Sequence, residues 1–286
     1  MDDVLNLLHT PLGIPGSGRV RYGAAMELYR RGLISEAQLD AYREASPFDG
    51  RDPAQMLADR GLLPVAAPPG TPAAILQALF AAARDYLNTL SHPGAAEVRA
   101  GLGRCFPADR IPAARPHAVA TRWLAPALEQ VATRQPQLAA AITAAAPHLA
   151  WVSYDAYPRA AIGDSFAEGH AFASIAGGEA AYTATDFELG LFLIAPGVLY
   201  RDHCHRAPEL YAPLTGPHGW RFAPGRSLFL KPAGEPVWNP PLQPHLTKVG
   251  PAPFLCLFAW TSHVNEPAQV IPAGDWAALE ARILAG

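Results

Sequence analysis

Cysteine is scarce. Cys105, Cys204 and Cys256 are the only three in 286 residues, odd in number and widely spaced. That pattern excludes a disulfide framework, and with no CxxC pair it also excludes a thiolate zinc knuckle or a dithiol redox motif. Charge is scarce too: 16% of residues are charged and the net balance is -3. Such a chain has no basic field for gripping phosphates, so no nucleic-acid partner is expected. No apolar run reaches the ~20 residues that would span a bilayer, and no membrane partner is expected either. The start, Met1-Asp2-Asp3, is acidic where a secretory signal is basic, and no cleavable apolar stretch follows. The expected location is the cytoplasm, and the style is bacterial. What the chain does have is core material. Half its residues are hydrophobic, which excludes disorder as the dominant state. Its 30 prolines are about twice the average usage of ~5%, and they fall between apolar runs as turn punctuation.

Residues 1–150 read as helical. In 21–45, Tyr22, Met26, Tyr29, Leu33, Leu39 and Tyr42 recur at helical intervals with a break near Gly32. Ser35, followed by Glu36 and Gln38, is placed to cap the second of two short helices. Asp52-Pro53 opens another, since Asp caps and Pro is preorganised at the first helical position. A Pro/Ala/Gly stretch, 64–70, separates this piece from the rest. Amphipathic short helices are unstable alone in water, so segment 1–65 is expected to dock on a partner surface. Behind Thr71-Pro72, residues Ile75, Leu76, Leu79, Phe80, Ala83, Leu87 and Leu90 form one apolar stripe. A second amphipathic stretch covers 117–146, broken near Pro136. After Pro147 the character changes to short β-branched and aromatic segments, with turn residues about every 8–12 positions. The expected strands include 151–154, 171–175, 187–194, 209–214, 228–231 and 254–260. The expected architecture is therefore α+β: a helical extension (1–65), a helical region packing on a barrel (66–150), and an antiparallel β-barrel of jelly-roll type (151–286).

Five of the ten histidines lie beyond residue 200, in the strand-rich part: His203, His205, His218, His245 and His263. On a strand, His203 and His205 share one face, so both imidazoles reach one point. Glu209 follows after a gap containing Pro208, room enough for the chain to turn and begin the next strand. Two imidazoles and a carboxylate suit a borderline divalent metal. His245, framed by Pro244 and followed by Leu246 and Thr247, is placed to complete the set. His218, beside Gly216-Pro217, and His263 read as turn histidines.

The run from Gly197 to Gly216, Gly-x5-His-x-His-x3-Glu-x6-Gly, resembles the first cupin motif throughout its spacing. Gly225, Pro232 and Gly234 give a looser likeness to the second. Within cupins, Tyr200-x2-His203-x-His205-x3-Glu209-x-Tyr211, then Gly216, Trp220 and Pro244-His245, is similar to the dimethylsulfoniopropionate lyase group. So is the strand ending Leu257-Phe258-Ala259-Trp260. The likeness covers roughly 150–262. The group usually has Pro after the first Tyr, where this chain has Arg201, and residues 1–65 look like an added segment.

This resemblance implies a metal-dependent carbon–sulfur lyase that converts dimethylsulfoniopropionate to dimethyl sulfide and acrylate. It implies one divalent transition metal (zinc, iron, manganese or nickel) on His203, His205, Glu209 and His245. It also implies a tyrosine base. Alternation alone turns Tyr200 away from His203, and a bend or bulge near Arg201 and Asp202 is needed to bring it inward. Tyr211 shares a face with Glu209 and is the alternate base. Aromatic faces attract cations, which makes Trp220, Trp238 and Trp260 the expected contacts for a sulfonium group. The expected partner is a small molecule, and a homodimer is left open because cupin barrels often pair through their sheets. Two other readings stand beside this one: a cupin dioxygenase or isomerase acting on another small acid, and a ligand-sensing cupin without catalysis.

Overall fold

The computed structural model of the chain describes residues 2–10, 12–65, 70–108 and 111–284. The chain divides into two compact units, Met1–Thr71 and Pro72–Gly286. Of the expected separator at 64–70, residues 66–69 lie outside the described residues.

Among the described residues the first unit holds α1 (Asp2–Leu8), α2 (Ser17–Arg30), α3 (Glu36–Ala45) and α4 (Pro53–Asp59). Ser35 starts α3 with a reciprocal cap. Its Oγ accepts the Gln38 N–H at 3.2 Å, while its own N–H donates to Gln38 Oε1 at 2.8 Å, satisfying two donors the helix end would leave orphaned. Asp52 accepts from the Ala54 N–H at 2.8 Å, with Pro53 at the first position of α4. The apolar stripes of these helices meet one another: Leu8, Leu28, Leu39, Tyr42 and Leu57 are buried in one small core.

The second unit begins with α5 (Pro72–Thr89), α6 (Ala95–Leu102), β1 (Phe106–Pro107), α7 (Ala118–Arg134) and α8 (Pro136–Ala145). Short α9 (Arg159–Ile162) and α10 (Asp164–Gly169) lead into β2 (His170–Ala176), β3 (Tyr182–Thr183), β4 (Glu188–Ile194), β5 (Leu199–Cys204) and β6 (Glu209–Pro213). There follow β7 (His218–Arg221), β8 (Phe229–Lys231), β9 (Val237–Asn239), β10 (His245–Lys248), β11 (Phe254–Trp260), β12 (Gln269–Val270) and α11 (Trp276–Ala281). One sheet has the order β1-β3-β2-β4-β11-β6-β9 and the other β12-β5-β10-β7-β8. The pairings are antiparallel except β2 with β3. The two sheets form a jelly-roll sandwich and do not close into one continuous barrel.

Strand alternation divides the core in two. Leu189, Leu191 and Leu193 of β4 and Leu255, Leu257 and Ala259 of β11 pack with Leu79, Phe80, Leu124, Leu128 and Ile142 of the helices. Phe192, Ile194, Phe254, Cys256 and Phe258 point the other way and meet Tyr200, Trp220 and Val249 from the second sheet. Both faces of the central strands are buried, which is why they read as unbroken apolar runs. The expected strand at 151–154 is absent. Trp151 is drawn into the helical core and Tyr154 and Tyr157 into the other, so the segment crosses between layers and keeps only a lone bridge from Val152 to Phe172.

Candidate active site

The site is assembled from both sheets. On the smaller one, His203 of β5 stands directly opposite His245 of β10. Two residues further along β10, Thr247 is opposite Tyr200, so Arg201 and Asp202 together face the single Leu246. This two-against-one pairing is a β-bulge, and it reverses the alternation that would have turned Tyr200 away. The Tyr200 ring stacks on the His203 imidazole with centroids 3.8 Å apart. Both extra residues are anchored. Arg201 donates to Glu280 on α11 and, at 2.8 Å, to the Ala161 carbonyl. Asp202 is fully buried against Arg221 of β7, with Arg221 Nε donating to Oδ1 at 2.9 Å.

His205 lies just past β5. Its Nε2 is 3.1 Å from Glu209 Oε2, and His245 Nε2 is 3.4 Å from the same oxygen. On the larger sheet, β6 places Glu209 between Trp260 of β11 and Asn239 of β9. The Trp260 indole N–H donates to Oε1 at 2.8 Å and the Asn239 amide to Oε2 at 3.1 Å. His203, His205 and His245 are all buried, and one ring nitrogen of each lies within 4.8 Å of the others.

The hydrogen bonds fix the tautomers. His203 Nδ1 is 2.8 Å from the Arg201 carbonyl, His205 Nδ1 2.7 Å from that of Ala207, and His245 Nδ1 2.8 Å from that of Gln243. A carbonyl oxygen only accepts, so each Nδ1 carries a proton and each Nε2 is the atom turned toward the cluster. Those of His203 and His245 are buried with no protein hydrogen bond. Burial, then the neighbouring imidazoles, pushes the His203 pKa well below its ordinary value. Burial alone would raise the Glu209 carboxyl, but His205 and His245 outweigh it and hold the pKa well below the usual carboxylate range. The three imidazole Nε2 atoms converge with a carboxylate oxygen beside them, an arrangement that can hold a cation. Imidazole with carboxylate is a donor set for divalent transition metals, with carbonyls fixing the imidazoles from behind. The buried triad of His203, His205 and His245 is suited to a divalent metal.

Beside it opens a cavity of about 130 Å3 lined by Tyr154, Tyr157, Tyr200, Tyr211, Glu188, Glu209 and the rings of Phe172, Phe192, Phe258 and Trp260, among others. The hydroxyls of Tyr157 and Tyr200 are 2.7 Å apart. Burial raises the phenols of Tyr157, Tyr200 and Tyr211 well above their ordinary pKa. Of the three tryptophans, Trp260 lines the cavity and the other two do not. Trp220 is fully buried against Tyr211 and Phe254. Trp238 alternates to the outer face of β9, where its ring fills the space over Gly94; a Cβ there would sit 2.2 Å from the indole. Sequence reasoning passed over Tyr157, Asn239 and Glu188. Tyr157 sits in a loop with no motif around it, and Asn239 and Glu188 meet the site through strand register alone.

Jelly-roll sheets with a buried His/Glu cluster between them define a cupin with a metal site. A family model described as dimethylsulfoniopropionate lyase matches residues 107–256, more than half of the chain. The chain belongs to that family and is a carbon–sulfur lyase. Two solved structures share its fold. One is a chain from crystal structures of the dimethylsulfoniopropionate lyases RdDddP and RnDddQII, with 22% identity and TM-score 0.56, covering 71% of this chain and 100% of that one. The other is the dimethylsulfoniopropionate lyase DddQ from Ruegeria pomeroyi DSS-3, with 19% identity and TM-score 0.54, covering 70% of this chain and 97% of that one. No curated protein matches the chain significantly in sequence. No helix among the described residues is long and apolar enough to cross a membrane.

Proposed function

We propose that this lyase splits dimethylsulfoniopropionate into dimethyl sulfide and acrylate by β-elimination. The observation that carries the reading is one aromatic cavity lined by buried tyrosines and by Glu209, the carboxylate that His205 and His245 contact. His203, His205, Glu209 and His245 would hold one divalent metal; zinc, iron, manganese and nickel all suit these donors. When bound, that ion supplies a Lewis acid for the substrate carboxylate, easing removal of the weakly acidic α-proton.

Tyr200 is the base in this reading. Its ring is fixed by stacking on His203, and its hydroxyl is held by that of Tyr157 at 2.7 Å. A phenolate is strong enough for the task, and a hydrogen bond donated by Tyr157 favours that form. The electron pair of the Cα–H bond becomes the double bond of acrylate, and the pair of the C–S bond leaves with sulfur as dimethyl sulfide. Tyr211, on the same face of β6 as Glu209, is the alternate base. The aromatic walls exclude water around the cation. A cytoplasmic location and a homodimeric assembly belong to the same proposal, tested by cell fractionation and by light scattering on the purified protein. The direct test is headspace gas chromatography after dimethylsulfoniopropionate is added to metal-loaded protein. Dimethyl sulfide release is expected. A fully metal-loaded protein that releases none overturns the reading in favour of a cupin acting on another small acid.

A further inference from the structure

One carboxylate in the cavity has no task in that chemistry. Glu188, the first residue of β4, lines the cavity. Its hydrogen-bond donor among the described residues is the Ser174 hydroxyl, at 2.5 Å. Among the described residues the cavity lining contains no Lys or Arg and Glu188 forms no ion pair. An anion taken out of water with one neutral donor is costly unless a cation joins it. Burial accordingly raises the Glu188 carboxyl from its ordinary pKa, against the opposing Ser174 bond.

Strand register sets this group relative to the metal cluster. On β11, Trp260 is opposite Glu188 of β4 on one side and Glu209 of β6 on the other. Residues opposite each other in neighbouring strands point to the same face, so the three side chains form one inward row. Strands lie about 4.8 Å apart, which puts the two carboxylate-bearing positions ~10 Å apart with an indole between them. The Trp260 ring also tilts beside His205, centroids 4.7 Å apart. Phe172 and Phe258, edge to face at 6.1 Å, add rings to the same cavity. Their fit depends on Gly190, two residues beyond Glu188, where a Cβ would lie 2.5 Å from Phe258 Cε1.

We propose that Glu188, with the rings of Trp260, Phe172 and Phe258, is a cation subsite that holds the onium end of the substrate and makes the cavity select zwitterionic onium acids over neutral ones. A sulfonium or quaternary ammonium group has no hydrogen to donate. Its charge is met by a nearby anion and by aromatic faces, and both are what this wall offers. The acid end then falls toward Glu209 and the histidines. The inference rests on the lyase reading for the identity of the onium group; the charge preference is a binding property with its own test.

That test uses the full-length, metal-loaded protein and two acids in titration calorimetry. One probe is 3-(trimethylammonio)propanoate, an onium acid. The other is 4-methylpentanoate, which has the dimethylsulfoniopropionate skeleton with CH in place of the sulfonium. The parent protein should prefer the onium acid by about tenfold or more, which corresponds to ~1.4 kcal/mol. Glu188→Gln keeps the size and the Ser174 contact and removes the charge. It should cost about tenfold in affinity for the onium acid and less than about twofold for 4-methylpentanoate. In turnover it should raise KM by about tenfold and leave kcat within about threefold, as loss of uniform binding does. Equal affinity of the parent for the two acids overturns the proposal, as does an equal loss on both in Glu188→Gln. Should that variant fail to fold, the parent's preference still decides. Onium preference without dimethyl sulfide release would sink the lyase reading and keep the subsite; release without onium preference would do the reverse.

Discussion

Replacing Arg221 by Met tests how the site geometry is held. Arg221 has 0% side-chain exposure and so does Asp202. The guanidinium spans both oxygens of Asp202, Nε to Oδ1 at 2.9 Å and Nη2 to Oδ2 at 2.5 Å, and also reaches Asp275 at 2.5 Å. Met fills similar space without the charge. Asp202 would then keep the Trp276 indole N–H, at 2.8 Å, as its donor. Removing one partner of a buried pair costs about 3–5 kcal/mol. The Asp275 contact adds little because that side chain is 41% exposed. In a domain of about 150–250 residues, 1 kcal/mol shifts Tm by roughly 2–4 °C, so a fall of roughly 10 °C is expected. Urea unfolding followed by fluorescence should show a lower midpoint at an unchanged slope. Adding Asp202→Asn removes the stranded charge, so the double variant should recover about 1–3 kcal/mol relative to additivity. Asp202 is also half of the bulge that turns Tyr200 inward, and turnover should fall in Arg221→Met while metal stays bound. A loss below about 1 kcal/mol, strict additivity, or full turnover at full metal content would each refute the reasoning.

His205→Ala should abolish stoichiometric metal binding, read by metal analysis, while circular dichroism shows the fold retained; full metal retention would remove His205 from the ligand set. Tyr200→Phe should keep its metal and lose turnover by roughly 10²-fold or more; parent-like rates would pass the base role to Tyr211. Acid should destabilise the protein before its carboxylates titrate, because burial pushes His170 and His218 down to about 4. The unfolded chain takes up these protons near pH ~6.5 and the folded one does so only near pH 4, so stability is full above pH 6.5 and falls toward 4, by up to ~3 kcal/mol per histidine. A urea midpoint flat across that window would contradict it. A chain beginning at Thr71 should still bind metal and turn over substrate, with any loss seen in solubility or assembly size. A folded, metal-loaded chain of that length with no turnover would show residues 1–65 to be needed for the chemistry.

What could be read in advance depended on how local the cause was. His203 and His205 converge because side chains alternate on one strand, and Glu209 joins them because Pro208 forces a turn; spacing records both facts. The capping of α3 and α4 was equally local, written in Ser35 with Gln38 and in Asp52 with Pro53. The orientation of Tyr200 was not. It depends on a bulge held by Asp202 with Arg221 of β7 and by Arg201 with Glu280 of α11, partners that no window around Tyr200 contains. Trp238 and Trp260 look alike as strand tryptophans, yet one faces the helices and the other the cavity. Which face is buried against what is fixed by sheet pairing. The same reason hid Glu188 and Asn239, which reach the site only as lateral neighbours along the row through Trp260.

The division between the sheets gives the site its mechanical logic. The histidines and Tyr200 come from the small sheet; Glu209, Tyr211, Trp260 and Glu188 come from the large one. The large sheet is clamped from outside by α5, α7 and α8 through the odd-numbered positions of β4 and β11. Its even-numbered positions are thereby held still while they carry polar groups into an apolar interior. Among the described residues the small sheet meets only the short α9 and α10 in its core cluster, through Ile162 and Phe166, the latter stacked on Tyr200, and charged side chains add much of its bracing. Lys248 donates to the Gly197 and Glu280 carbonyls at 2.6 and 2.9 Å, Arg201 pairs with Glu280, and Arg221 pairs with Asp202 and Asp275. Each of these contacts starts from a strand bearing a histidine of the cluster or from β7 beside it. Apolar packing therefore fixes the half of the site that receives the substrate, and directional charged bonds fix the half that must keep three imidazoles aimed at one point. Hydrophobic contact is non-directional and could hold the first half in place, but it could not set the aim of the second.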